Sequence, residues 1–260
     1  MTGRTVIDGP HRNGSAMIAL RSLAFNVGFY LWTLVIGLYG APLLLGSKRT
    51  VMAFGRLWAA GSLGLLAWTV GLRHEIRGAE NLPEGAAIIA LKHQSAWDTV
   101  ILPVMFRHAA IVIKHELAWL PIYGWYAVRA GGIPVDRGAG ASALKRMLAR
   151  ARKAAASGRP IAIFPEGTRT AVGARLPYHP GVAALYTQLN LPLVPVAVNS
   201  GVFWGRRSFL KYPGRIVLEI LPAIPAGQPR RKVMAELEAR IEAATARLVA
   251  EARGASQGCG

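Results

Sequence analysis

The chain has 260 residues, long enough for one large domain or two small ones with a substantial core. It carries 31 Lys and Arg against 13 Asp and Glu, a formal net charge of +18, and 52% of its residues are hydrophobic. A chain this basic attracts anions, and one that is also this apolar fits an anionic lipid surface better than nucleic acid. No four-ligand zinc spacing, basic region leading into heptads or aromatic stacking platform supports a nucleic-acid role. The single cysteine, Cys259, excludes an intrachain disulfide and sits in a Gly- and Ser-rich tail where an attacking thiol would not be held steady.

Residues 1–15 are polar and read as a disordered cytoplasmic arm. Ala24 to Gly46 is almost wholly apolar and long enough to cross a hydrocarbon core, whereas Leu57 to Leu72 is short for a crossing and is bracketed by Arg56 and Arg73. Basic residues flank the first stretch on both sides (Arg4, Arg12 and Arg21 before it, Lys48 and Arg49 after it), so there is no strong inside-outside asymmetry. Two arrangements fit, a shallow helical hairpin in one leaflet with both ends on the cytoplasmic side, or one spanning helix followed by an interfacial or packed helix; the first is favoured, so that arm and hairpin occupy residues 1–73 and a catalytic domain 74–260.

From His74 onward, short apolar runs alternate with helical segments. Ala86 to Leu91, Ile111 to Ile113, Ile161 to Phe164, Leu193 to Val198 and Ile216 to Ile220 read as strands. Thr99 to Phe106, Leu117 to Ala130 and Ser142 to Ala156 read as helices, and Val233 to Leu248 carries a further apolar seam. The basic amphipathic segment Ser142 to Ala156 is assigned to sheet packing rather than to a membrane surface. The fold class is α/β, a mixed, largely parallel sheet flanked by helices, with an N-terminal hydrophobic helical segment that associates with membranes. Pro195, inside a strand-like run, predicts an edge or a bulge.

His93 and Asp98 close the first strand. Five positions along one regular helix leave two side chains about 140° apart, so they meet only if His93 lies in the turn and the helix begins near Ser95. Ser95 followed by an acid three positions later is a capping pattern, and Asp98 is equally readable as a cap alone. In a catalytic arrangement Asp98 accepts the Nδ1 proton and leaves Nε2 to take a proton from a hydroxyl. No protein nucleophile is evident: Ser95 is too close in sequence, and no Gly-x-Ser-x-Gly elbow exists. The remaining nucleophile is a hydroxyl of the substrate.

Glu166-Gly167-Thr168-Arg169 follows a strand, the place where α/β sheets carry ligand sites. Gly167 permits a tight turn, Thr168 offers a hydroxyl, Arg169 offers a donor fork for phosphate or carboxylate, and Glu166 orients an arginine or a substrate hydroxyl. Arg137, after Gly131-Gly132, is placed to join Arg169 around a phosphate, with Lys114 as a further contact. His115-Glu116 has Trp119 where a zinc hydrolase needs its second histidine, and no Gly-Lys-Ser or Gly-Lys-Thr of a nucleotide hydrolase occurs.

Four blocks in order resemble the 1-acyl-glycerol-3-phosphate acyltransferase family: His93 to Asp98, Gly132 to Arg137, Phe164 to Arg169 and Val194 to Val196. Lys92 stands where an asparagine often precedes the histidine, and Pro134 where an aromatic is usual. The resemblance implies transfer of an acyl group from a thioester to a glycerolipid hydroxyl, with His93 as base and Asp98 orienting it. It places Arg137, Glu166 and Arg169 in the acceptor-binding region, with Gly167 and Thr168 shaping it; Lys114 is a candidate there from its position alone.

The implied acceptor is 1-acyl-glycerol 3-phosphate, a lysophospholipid, and the product phosphatidic acid. Glycerol 3-phosphate or a lyso-aminolipid is the alternative acceptor, and an inactive basic membrane-binding protein is the reading from another class. Acyl-CoA or acyl carrier protein supplies the acyl thioester as co-substrate, and no metal or permanently bound cofactor is required. The expected partners are an anionic membrane and acyl carrier protein, with no nucleic acid. The expected location is the cytoplasmic side of the inner membrane, and an oxyanion donor is expected from a backbone amide near Gly167.

Overall fold

The computed structural model describes residues 15–257. The predicted N-terminal arm and the Cys259 tail lie outside them. Two long helices come first, α1 (Ser15–Tyr39) and α2 (Lys48–Val70), both long and apolar enough to cross a membrane. Gly40 and Pro42 end α1 ahead of the predicted boundary, and a short 3-10 turn (Ala41–Leu45) reverses the chain. The Ser47 side chain then accepts a hydrogen bond from the Thr50 amide and starts α2.

The helices run antiparallel. The Trp32 indole donates to the Trp58 carbonyl, the Trp58 indole donates to the Thr33 hydroxyl, and Gly28 meets Leu65. Small residues at Gly28 and Gly61 let large side chains of the facing helix lie against the backbone.

The hairpin uses its two faces differently. Phe25, Ala59, Leu63, Leu66 and Val70 are buried in the same apolar core as the sheet. On the other side Leu20, Val27, Leu31, Val35 and Leu38 of α1 are exposed. Lys211, buried in a later loop, ties α1 down: its ammonium donates to Asn26 Oδ1 (2.6 Å) and lies 4.8 Å over the Trp204 ring. Burial without a carboxylate pushes this lysine down to about 8.

A seven-stranded sheet follows, in the order β1 (Leu72–Arg77), β7 (Gly214–Ile220), β6 (Leu193–Val198), β2 (Ile88–Leu91), β5 (Ile161–Ile163), β3 (Ala110–Lys114) and β4 (Ile133–Val135). Pairings from β6 through β4 are parallel, β6 pairs antiparallel with β7, and β1 runs parallel to β7. The expected mixed, largely parallel α/β sheet is therefore present. Two layers of helices cover it. Helix α3 (Trp97–Met105) shares one core with the hairpin, while α6 (Gly140–Ala156), α7 (Pro180–Leu189) and α9 (Arg230–Gln257) close the other face. Met147 and Ala151 of α6 are buried there, so its basic residues line the outer side and the sheet-packing assignment holds.

Two expectations are corrected. The predicted helix Leu117 to Ala130 is broken into α4 (His115–Ala118) and α5 (Tyr123–Arg129). Pro121 cannot continue a helix, and Ile122 takes a left-handed φ of 65° to turn the chain. Pro195 is not at an edge, because β6 lies between β7 and β2. The bulge alternative does describe it: Leu193 bridges Ile224 while Val196 pairs Ile220, so the facing strand carries one residue more. The Pro195 carbonyl accepts from Leu221 across this irregularity, and the missing proline N–H faces the same side, where no regular ladder bond is due.

Candidate active site

The carboxyl ends of β2, β5, β6, β3 and β4 share one edge of the sheet, and every sequence-predicted site residue lies at or just after one of those ends. β2 is a fully buried run of Ile, Ile, Ala and Leu, and the Lys92 amide extends its ladder by donating to Val196. His93 to Ala96 then turn the chain before α3 begins at Trp97.

Asp98, in the first turn of α3, is fully buried and saturated with donors. Oδ2 accepts from the amides of Gln94 (2.7 Å) and Ser95 (2.8 Å) and lies 3.0 Å from His93 Nδ1, while Oδ1 accepts from the Ser200 hydroxyl at 2.5 Å. Capping and histidine contact are thus made by one carboxylate. Ser95 completes only part of the expected capping box, because its hydroxyl accepts from the Trp97 amide.

His93 is held on every side but one. Its amide donates to Glu166 Oε2 (2.9 Å), its carbonyl accepts from the Thr170 amide (2.7 Å), and its ring stacks on Phe164 at 3.8 Å between centroids. A carboxylate at Nδ1 makes that nitrogen the protonated one. The side chain is 13% exposed, and Nε2 has no hydrogen-bond partner among the described residues.

Beside the histidine lies a buried ion cluster that the sequence did not announce. Lys92 Nζ is 2.6 Å from Glu166 Oε1 and 2.6 Å from Glu242 Oε1 of α9, and the Tyr178 hydroxyl donates to Glu242 at 3.1 Å. The Glu166 carboxylate, expected at the acceptor, is therefore turned inward, with Oε1 ion-paired to Lys92 and Oε2 accepting from the His93 amide. Gly167 takes a φ of 65° directly after it, and the Gly167 amide donates to the Phe164 carbonyl, so that amide is not free to serve as an oxyanion donor.

Thr168 is exposed at the rim, and Arg169, half-buried in the same loop, has no ion-pair or hydrogen-bond partner among the described residues. Lys114 is exposed at the end of β3 and pairs with Glu116 at 2.7 Å. Arg137 starts a short 3-10 turn after β4, two strands from β5, roughly 10 Å along the sheet edge. His93, Asp98 and Glu166 are thus joined directly. Arg169 shares their loop, whereas Lys114 and Arg137 stand further along the same edge.

A buried carboxylate, an oriented imidazole with one open nitrogen and an unpartnered arginine are the tools of acyl transfer to a hydroxyl. The Acyltransferase family matches residues 73–199, which contain His93, Asp98 and the 166–169 loop. The chain is 36% identical over 241 residues to the 1-acyl-sn-glycerol-3-phosphate acyltransferase of Pseudomonas aeruginosa, covering 91% of this chain and 93% of that protein. It is 29% identical over 207 residues to the alpha form from Ovis aries, covering 77% and 71%. The crystal structure of the 1-acyl-sn-glycerophosphate (LPA) acyltransferase from Thermotoga maritima superposes with a TM-score of 0.75 at 20% identity, over 89% of this chain and 97% of that one, a likeness of fold. The chain belongs to the 1-acyl-sn-glycerol-3-phosphate acyltransferase family.

Proposed function

We propose that this membrane-associated enzyme transfers an acyl group from a thioester of coenzyme A or acyl carrier protein to the free hydroxyl of 1-acyl-glycerol 3-phosphate, forming phosphatidic acid. The observation that carries this reading is the open Nε2 of His93, on a ring whose Nδ1 is fixed by a buried carboxylate.

The acceptor hydroxyl gives its proton to Nε2 as its oxygen attacks the thioester carbonyl. Asp98 stabilises the imidazolium that forms. The tetrahedral intermediate then expels the thiolate, the C–S bond breaks, and the imidazolium returns the proton to sulfur. Nothing is left on the protein at the end of the cycle.

Arg169 binds the acceptor's phosphate, with Thr168 beside it and Lys114 and Arg137 further along the edge. Glu166 and Gly167 shape that region from behind by fixing the loop. Anchoring the phosphate converts binding into alignment of the hydroxyl. For the acyl chain, an apolar cavity opens between the hairpin and the domain, lined by Ile36, Phe54, Trp58, Ile111 and Tyr123. Thr99, the residue after Asp98, also lines it, so the cavity reaches the first turn of α3.

The exposed apolar side of α1 meets the bilayer, and basic residues at both ends of the hairpin hold it at the cytoplasmic face of the inner membrane. Exposed Trp119, after α4, and Trp125 of α5 suit the same interface.

Acceptor competition in vesicles tests the assignment. The 3-phosphate acceptor is expected to exceed a phosphate-free monoacylglycerol by about 100-fold in kcat/KM, and Arg169→Ala to raise KM about 10-fold for the phosphate-bearing acceptor alone. Preference for the phosphate-free lipid would overturn it.

A further inference from the structure

Lys92, Glu166, Glu242 and Tyr178 form the most deeply buried charged cluster outside the catalytic pair, and no step above uses Glu242, Lys92 or Tyr178. Exposure of the Lys92 and Glu166 side chains is 1% and 0%, and that of Glu242 is 9%. One ammonium facing one carboxylate would already be neutral. Adding Glu242 leaves a net charge of −1 in a desolvated place, which costs stability unless it serves something.

We propose that Glu242, on the C-terminal helix α9, is a positioning residue for acyl transfer: through Lys92 and Glu166 it fixes the His93 backbone and supplies an uncompensated negative charge to the buried cluster beside it. The contacts run in series. Glu242 holds the Lys92 ammonium, Lys92 holds Glu166 Oε1, and Glu166 Oε2 holds the His93 amide. Lys92 is also the residue before His93, so the cluster grips the base's backbone twice, at its amide and through the preceding residue.

Tyr178 donates to Glu242, and burial beside the carboxylates of Glu242 and Glu166 pushes its hydroxyl far up, keeping it a proton donor. The excess charge favours the imidazolium that exists only after His93 has taken the hydroxyl's proton. The charged and titratable groups around His93 and this cluster are Asp98 from α3, Glu166 from the loop after β5, Lys92 from the end of β2, Glu242 and, acting on Tyr178, Glu238 from α9, and Tyr178 from the loop before α7. Arg169 lies further along the Glu166 loop.

This inference rests on His93 being the base, and His93→Ala is measured alongside to separate the two. The test is the pH dependence of kcat/KM for the full-length enzyme in vesicles, with thermal unfolding measured in parallel. Glu242→Gln leaves a balanced Lys92–Glu166 pair. It is expected to move the acid limb to lower pH by roughly half a unit or more and to lower kcat about 10-fold, with the acceptor KM within about twofold. Glu242→Asp keeps the charge and is expected to hold the limb in place.

Tyr178→Phe strips the carboxylate of its neutral donor and is expected to move the limb the other way; if Glu242→Gln does not fold, Tyr178→Phe decides. Opposite shifts from two neighbouring substitutions are not produced by loosened packing. A Glu242→Gln enzyme that melts earlier but keeps the wild-type kcat and acid limb would overturn the inference, as would an unmoved limb in Tyr178→Phe. Full activity in His93→Ala would instead overturn the reading beneath it.

Discussion

Replacing His93 by alanine is expected to lower kcat by about 10²- to 10⁴-fold while leaving the acceptor KM within a few-fold of wild type. In the proposed mechanism the substitution removes a proton acceptor used only as the hydroxyl attacks, so the loss falls on the chemical step. It should leave the fold standing. The two backbone contacts of His93, to Glu166 and Thr170, do not involve the imidazole, and the ring is packed on Phe164 at the edge of the cleft rather than in the core. Initial rates of thiol release with saturating acceptor, set against an unchanged far-UV spectrum, read this directly. Activity within 10-fold of wild type would mean that another group takes the proton.

Asp98→Asn is expected to produce the second-largest loss, about 10²-fold or more in kcat, with a smaller change in stability than Asp98→Ala. The reason lies in how the four donors are shared. His93 and the amides of Gln94 and Ser95 converge on Oδ2, and only the Ser200 hydroxyl meets Oδ1.

An asparagine can place its carbonyl at the crowded position and its amide toward Ser200, whose hydroxyl rotates to accept instead of donate. Turn, cap and tautomer are retained, and only the negative charge that stabilises the imidazolium is lost. Alanine leaves two turn amides, a hydroxyl and Nδ1–H without their acceptor, and each buried orphan costs roughly 1–3 kcal/mol. Stopped-flow rates and thermal unfolding of both variants make the comparison. Equal kcat in Asp98→Asn and wild type would reduce Asp98 to a cap.

Ser200 carries no sequence signal of its role. It stands 102 residues from Asp98, just past the buried strand β6, and a serine after an apolar run carries no mark of what it will touch. Glu242 is 150 residues from Lys92 on a helix whose visible signal is its apolar seam, Val233, Leu237, Ile241 and Leu248. Periodicity reports the buried stripe and says nothing of a single acid beside it.

The His93–Asp98 contact was legible because strand, turn and helix start all lie within a few residues of one another. Strands β2, β3, β5, β6 and β7 were legible as apolar runs. β1 was not, since only Leu72 of Leu-Arg-His-Glu-Ile-Arg is buried at this sheet edge. Nor was β4, three residues long with a proline, in what reads as a Gly-rich turn. The hairpin's two apolar stretches were visible, but not that one side of α2 belongs to the domain core, because a lipid-facing residue and a core residue look alike in hydropathy.

We propose that the nucleophile belongs to the substrate: His93 activates the lysolipid's hydroxyl, and the acyl group passes to it directly. Rapid quench with a stoichiometric labelled acyl thioester tests this, with and without 1-acyl-glycerol 3-phosphate in the vesicles. The expected result is thiol release only when the acceptor is present, with label appearing in phosphatidic acid and none on the protein. A burst of thiol release without acceptor, matched by acylated protein in the mass spectrum, would contradict it.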